Sequence, residues 1–353
     1  MAPAIQTLAE RRMFMKDEGR VHGKRIRCIG VFVIAVVFFG CGLAWAADFE
    51  IRFGYAPPPG MAPDVTFKKF KEIVEKESKG KIQVSLFGSA QLGGDRAVIE
   101  ACQSGNLEMA CGSTQNWSVF TKAFRVFDLP FMMKSRESAY KILDGEIGKQ
   151  VIAQFEKETG LKFVIFTEYG GMRHMWQNRK EVRVPADLAG MKIRAVMSPI
   201  EMAILRGFGA NPTALDWGEV YAALKQKTID GQGNSLELMY LAKHYEVLPY
   251  CTILSYVWSA EPAAINRKFF EKLPKDLQNL VLSAARRAEL AGRDYTKERE
   301  PWYRKKCEEA GVKFYDPKPE EMKLWINKVV PSVWDQFKKE IGEDNIQRVK
   351  NAQ

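Results

Sequence analysis

The stretch "KIQVSLFGSAQLGGDRAVIEACQSGNLEMACGS", residues 81–113, decides the fold class. Ile82, Val84 and Leu86 alternate with polar residues, which is the two-residue period of a strand. A short helix follows, with Asp95 as its N-cap and Gly105 just past its end, where a residue without a Cβ suits left-handed backbone. "NLEMACGS" then reads as another strand. Upstream, "FEIRFGYA" (49–56) alternates as a strand. "APDVTFKKFKEIVEKESKG" (62–80) sets Val65, Phe67, Phe70, Ile73 and Val74 on one helix face. Strand, helix, strand, helix, strand is the order of an α/β unit with a largely parallel sheet.

Further along, residues 135–160 carry a helical pattern that closes this unit, and "LKFVIFTEYGG" (161–171) begins a new strand. A second α/β unit runs to about Val257. Its strands fall near "MRHMWQN", "MKIRAV" and "CTILSYVW", and its helices at "IEMAILRGFG" and "WGEVYAALKQK". Asp216 and Glu219 have the spacing of a capping box for the latter helix. Residues 267–311 are nearly continuous helix signal, broken early by Pro274, and too long for one unit to cover, so this helix is expected to span both. The expected division is a leader at 1–46, a first lobe at 47–170 joined by part of 259–290, a second lobe at 171–258 joined by part of 312–353, and a bracing helix region at 267–311.

Lys24, Arg25 and Arg27 precede the apolar run "IGVFVIAVVFFGCGLAWA", which ends in small residues at Ala44 and Ala46. That is the layout of a secretory signal peptide. A permanent anchor needs about 20 apolar residues and usually lacks a small-residue cleavage site. Lipid attachment at Cys41 fits poorly, because Phe38-Phe39-Gly40 does not match a lipoprotein cleavage box. Export to the periplasm with a mature start near Ala47 is expected. The chain carries a net charge of +10; the leader holds seven Lys or Arg against three Asp or Glu, so the remainder carries +6. Its basic residues are interleaved with acidic ones, as on solvated helix faces, which is no nucleic-acid footprint.

Cys102, Cys111, Cys251 and Cys307 remain after the leader, with no CxxC spacing, and only His174 and His244 accompany them. No zinc constellation follows, and the cysteines read as small buried hydrophobes. A nucleophile elbow, a Walker loop and a dinucleotide glycine fingerprint are all absent from the sequence.

The region "GGMRHMWQNRKEVRVPADLAGMKIRAV" (170–196) places Arg173 beside a glycine pair and Arg194 within a strand. Alternation sends Lys192, Arg194 and Val196 to one side of that strand. A buried arginine must have its charge met. Its partner is either an acid of the protein or the carboxylate of a ligand, gripped by the bidentate fork that lysine lacks.

The blocks "SAQLGGDRAVIEACQSGNLEMA", "DLPFMMKS", "GGMR", "PADLAGMKIRAV", "GANPTALDWGEVYAALKQKTIDGQGN" and "AINRKFFEKLPKDLQ", in this order, make the chain resemble the solute-binding proteins of tripartite ATP-independent periplasmic (TRAP) transporters, of the DctP type. The resemblance implies a two-lobed periplasmic-binding-protein-like α/β fold, a ligand cleft between the lobes and a long helix bracing both. It implies a small organic acid as ligand and the membrane subunits of a TRAP permease as partner, with no catalytic residue. A monomer is expected, with no nucleic acid, cofactor or metal. Arg194 matches the family's carboxylate-pairing arginine, Asn234 the asparagine that donates to the same carboxylate, and Arg173 an arginine that makes a further contact. The turn departs from the family's DGQENP in reading "DGQGNS", so Gly233 and Ser235 leave the aim of Asn234 open. Relatives that hold 2-oxo acids through a cation carry a Glu-Trp pair after this turn, which is missing here. Trp117, Tyr169, Trp217 and Trp258 lie at or beside cleft-lining segments, although core packing is the commoner use of each. A ligand-sensing module for a membrane receptor and a periplasmic enzyme on the same scaffold are the alternative readings.

Overall fold

A computed structural model describes residues 47–353, and the expectations for residues 1–46, the leader, its cleavage and Cys41, lie outside the described residues. No helix among the described residues is long and apolar enough to cross a membrane.

The chain opens with β1 (Phe49–Gly54), α1 (Ala62–Glu77), β2 (Ile82–Phe87), α2 (Asp95–Ser104) and β3 (Met109–Cys111). Phe67, Phe70, Ile73 and Val74 of α1 are buried against Ile51, Phe53 and Val84, which is the face their spacing predicts. Gly105 caps α2 in left-handed backbone at φ 82°. The N-cap of α2 is Gly94 and not Asp95. The Asp95 carboxylate turns to donors beyond β3, accepting from the Ser113 backbone N–H and the Asn116 amide.

Short helices α3 (Thr114–Trp117) and α4 (Arg125–Asp128) lead to α5 (Arg136–Asp144) and α6 (Glu146–Thr159). The helical segment at 135–160 is therefore two helices, and Gly145, extended at φ −90° and ψ −168°, ends one and starts the other. After β4 (Lys162–Met172) come β5 (His174–Gln177), β6 (Lys192–Ala195), α7 (Pro199–Phe208), β7 (Asn211–Ala214), α8 (Trp217–Lys225), β8 (Gly231–Asn234), α9 (Leu236–Leu241) and β9 (Tyr250–Thr252). The predicted strand "CTILSYVW" is divided: β9 ends at Thr252, and Trp258 opens β10 (Trp258–Ile265) in the other sheet. Then follow α10 (Arg267–Lys272), α11 (Lys275–Glu309), β11 (Lys313–Tyr315), α12 (Pro319–Ile341) and α13 (Glu343–Asn351).

The strands form two sheets, in the orders β2-β1-β3-β10-β4 and β11-β9-β5-β8-β6-β7. The first is mixed: β1 runs parallel to β2 and β3, whereas β10 lies antiparallel to both β3 and β4. The chain crosses between sheets from β4 to β5 and back from β9 to β10. At the crossing the Arg173 N–H donates to the Val257 carbonyl at 2.8 Å, and the Tyr256 N–H to the Arg173 carbonyl at 3.2 Å. Gly170 and Gly171, at φ 73° and 91°, supply the left-handed backbone this turn of the chain needs.

α11 packs on α1 and β4 and, further along, on α9. Leu277, Val281 and Ala284 enter the core with Ile51 and Phe53, while Tyr303 and Cys307 enter the core with Trp176 and Cys251. At about 1.5 Å per residue it is long enough to brace both sheets. The tail is shared: α12 rests on α7, with Trp325 edge-on to Phe208, and α13 reaches α4. Cys102, Cys111, Cys251 and Cys307 are free thiols, all buried.

Candidate functional site

A cleft of about 740 Å³ of empty volume, its mouth included, opens between the two lobes. Gly94, Asp95, Ser113, Asn116 and Tyr169 line it from the first lobe, and Arg194, Leu215, Asp216, Trp217 and Asn234 from the second, with Arg173 at the crossing.

Arg194 lies on β6, between β8 and β7. The residue is 4% exposed. Its Nε donates to the Leu215 carbonyl at 3.0 Å, and among the described residues no carboxylate forms an ion pair with it. The guanidinium lies 5.9 Å from the centre of the Trp217 ring. Burial, and then the like charge of Arg173, push its pKa down to about 10, which still leaves a cation at neutral pH.

Arg173 is met by the protein. It is 2% exposed. One terminal nitrogen donates to the Gln115 side-chain carbonyl at 2.7 Å, and the other to the Gly233 carbonyl. Glu201 of α7 stands 3.6 Å away and accepts from the Tyr256 hydroxyl at 3.0 Å and the Gln115 amide at 2.9 Å. Only Nε of Arg173 is buried without a partner.

Asn234 ends β8, which is held antiparallel to β5 and parallel to β6. The segment read as a turn is thus an inner strand. A Cβ at Gly231 would overlap the Trp176 carbonyl, and one at Gly233 would overlap the Tyr256 hydroxyl, so the departure to Gly233 makes room for the Tyr256–Glu201 bond. Ser235 caps α9, accepting from the Leu238 N–H at 3.3 Å. Among the described residues the Asn234 side chain has only long contacts, 3.4 Å to Gln232 and 3.3 Å to the Ser235 N–H.

Trp217 stacks on His244 with ring centres 4.7 Å apart and planes 13° from parallel. Gln232 donates to Nδ1 of that histidine at 2.6 Å, and burial, with Arg194 nearby, pushes its pKa down to about 4, so the imidazole is neutral. Tyr169 lines the cleft, and burial drives its phenol well above the usual range.

The expectation of Trp117 as a cleft residue is corrected, and Trp258, for which core packing was the commoner use, lies in the core as well. Trp117 is fully buried in the first lobe, its indole N–H on the Pro262 carbonyl at 3.0 Å and its ring edge-on to Phe155, and Trp258 is bonded to Glu168 and stacked on Phe166. Neither lines the cleft; both do what large aromatics do in α/β cores. The capping box at Asp216 and Glu219 is also absent: Asp216 is the N-cap of α8 by backbone, but its side chain makes no capping bond. Asp95, Ser113, Asn116 and Asp216 escaped the sequence reading as cleft residues. Their signal was position, since Ser113 and Asn116 follow the carboxyl end of β3, where α/β sheets place their ligands.

Two α/β lobes around a cleft with a buried cation that no carboxylate among the described residues pairs define a solute-binding architecture. The sequence pattern of the bacterial extracellular solute-binding proteins, family 7 (DctP), matches residues 53–340, and the chain belongs to that family. It is 31% identical over 239 residues to the 2,3-diketo-L-gulonate-binding periplasmic protein YiaO of Escherichia coli, covering 68% of this chain and 72% of that one. With the C4-dicarboxylate-binding periplasmic protein DctP of Rhodobacter capsulatus it shares 28% identity over 311 residues, 88% of this chain and 92% of the relative. Its fold superposes on a TRAP periplasmic solute-binding protein of Sulfurospirillum deleyianum with bound succinate at a TM-score of 0.83, with 29% identity, covering 87% of this chain and all of that one. On the sugar acid binding protein of Advenella mimigardefordensis in complex with galactonate the TM-score is 0.82, with 30% identity over 86% of this chain and 97% of the other.

Proposed function

We propose that the protein is exported by its cleaved leader, captures a small carboxylic acid in the interlobe cleft and hands it to a TRAP permease. The observation that carries this reading is Arg194, a buried cation with no acidic partner among the described residues. A carboxylate entering the cleft would take the free end of that guanidinium in a charge-assisted pair, shielded from water. Asn234 would donate to the same carboxylate, and Arg173 would offer only Nε. The lobes, as divided by the crossing strands, would close over the acid as a shift between open and closed forms, and the closed form is what the permease would receive. No bond is broken in such a cycle, so no side chain needs a catalytic role.

The test is a thermal-shift and calorimetric panel of small carboxylic acids, each with its neutral amide, on protein stripped of co-purified ligand by unfolding and refolding. An acid at 100 times its dissociation constant should stabilise the fold by about 2.7 kcal/mol, and its amide should not. Equal shifts for acid and amide would overturn the clamp. A deletion strain that takes up the identified acid at the normal rate would overturn the permease partnership and favour a sensing role.

A further inference from the structure

Behind the cleft wall of the second lobe lie two polar side chains that the carboxylate clamp does not use. Gln232 of β8 is fully buried and His244, in the short turn His244–Glu246, is 3% exposed, and neither lines the cleft. Gln232 is in register with Arg194 across β8 and β6, and Asn234 follows two residues on, so all three side chains leave the sheet on one face. The Gln232 amide reaches both ways along that face. Its Nε2 donates to His244 Nδ1 at 2.6 Å, and its Oε1 accepts from the Asn234 amide at 3.4 Å. With Nδ1 accepting, the neutral ring carries its proton on Nε2.

His244 turns its flat side to α8. Trp217 and Tyr221, four residues apart and so on one face of that helix, both meet it: the Trp217 ring stacks at 4.7 Å and 13°, and Tyr221 tilts at 5.5 Å and 54°. The Tyr221 hydroxyl donates to Glu246 at 2.9 Å, which ties α8 to the same turn. Trp217 is half-buried at the cleft, 5.9 Å from the Arg194 guanidinium, and among the described residues His244 is the one aromatic ring against it. Any apolar group would fill the space. The imidazole supplies a plane for Trp217 and, at its edge, an acceptor for Gln232, whose N–H would otherwise be buried unpaired.

We propose that His244, fixed by Gln232, is a positioning residue for ligand capture: it holds the Trp217 indole in place beside the Arg194 fork, so that an entering acid meets a wall and a clamp already formed. The proposal rests on the carboxylate-capture reading and adds to it a residue that touches no ligand. Trp217 is the first residue of α8, so its side chain has no preceding turn of helix to lie on, and a neighbour in space must fix it. Ordering a loose side chain at the moment of binding draws on affinity, and a group locked beforehand by its neighbours does not.

The experiment pairs a ligand-free signal with affinity. In protein stripped of co-purified ligand and labelled with fluorotryptophan, the fluorine NMR line of Trp217 is identified by its loss in Trp217→Phe. His244→Ala should move that line, and His244→Phe, which restores a flat ring, should return it toward the wild-type position. Calorimetry with succinate, galactonate and whichever panel acid gives the largest thermal shift should show His244→Ala binding about tenfold more weakly and His244→Phe recovering most of that loss. In a Trp217→Ala background the same His244→Ala change should cost less than about twofold, because the residue it acts through is gone. A histidine that served the fold alone would lower the urea midpoint without moving affinity in either background. If His244→Ala fails to fold, His244→Leu fills the space without a plane and makes the same comparison. Wild-type affinity in the alanine or leucine variant, an equal loss with and without Trp217, or an unmoved fluorine line would overturn the positioning role and leave the Arg194 clamp standing. Arg194→Ala binding every acid as tightly as wild type would overturn the capture reading and, with it, the site that His244 serves.

Discussion

Arg173 and Arg194 bring the same guanidinium to the same cleft and are surrounded in opposite ways. Around Arg173 the fold gathers Gln115 from α3, Glu201 from α7 and the Gly233 carbonyl of β8, so its terminal nitrogens are occupied before any ligand arrives. Around Arg194 the described residues supply one carbonyl, to Nε, and leave the other end of the fork open. An arginine that joins elements of both lobes is compensated within the chain. An arginine reserved for an anion is buried without its counter-charge, a state that raises the energy of the empty cleft and that an entering carboxylate relieves. The two even oppose each other, since Arg173 is one reason Arg194 holds its proton less tightly than usual.

The largest expected effect breaks the compensated side. Arg173→Met leaves the Glu201 carboxylate buried without its cation and should destabilise the fold by about 3–5 kcal/mol, read as a lower urea midpoint at unchanged slope. A change within about 0.5 kcal/mol, as for surface substitutions, would show that this network holds nothing together. On the open side, Arg194→Ala should leave the stability of the empty protein unchanged or higher and weaken acid binding by about 2–5 kcal/mol. Arg194→Lys should recover only part of that, because an ammonium lacks the planar fork. Lysine binding as tightly as arginine would contradict a bidentate grip.

The smallest effect concerns protons behind Arg173. Burial lifts the Asp128 carboxyl to about 7, with the Thr114 hydroxyl opposing, the Glu201 charge adding and Arg173 opposing. Its folded value lies above the unfolded one of about 3.9, so its contribution is complete below about pH 4 and is lost as pH rises through about 7. His174 and His244, held neutral by burial with values of about 3 and about 4, act with the opposite sign and weaken the fold as pH falls below about 6.5. Unfolding of Asp128→Asn beside wild type cancels the histidine part. The variant should gain stability over wild type as pH rises from about 4 to about 7, and parallel curves would remove Asp128 from the network.

Much of the fold was legible in the sequence, and the contrast between the two arginines was not. Period and glycine placement located α1, β2, α2 and the long helix, because each has enough residues for a pattern to show. β7 and β8 are four residues each and contain Pro212, Gly231 and Gly233, which locally signal turns; only pairing on both sides makes β8 a strand. Asp95 and Asp216 stand where caps stand, and a cap is read from neighbours in sequence. Their carboxylates respond to neighbours in space, Ser113 and Asn116 for the first and the cleft for the second. Trp117 could not be told from Trp217 by type or by nearby motif, since the difference lies in which side of a helix meets the core.

By itself the sequence determined the α/β class, the family, the bracing helix and the presence of two arginines in a region otherwise built for strands, since period, chain length and motif order are local or one-dimensional properties. Tertiary structure alone decided which arginine is satisfied, because counter-charges come from residues such as Gln115 and Glu201, 58 and 28 positions away from Arg173 in the chain. A charge is buried or paired only in three dimensions, and the energy that distinguishes a structural arginine from a binding one is set there.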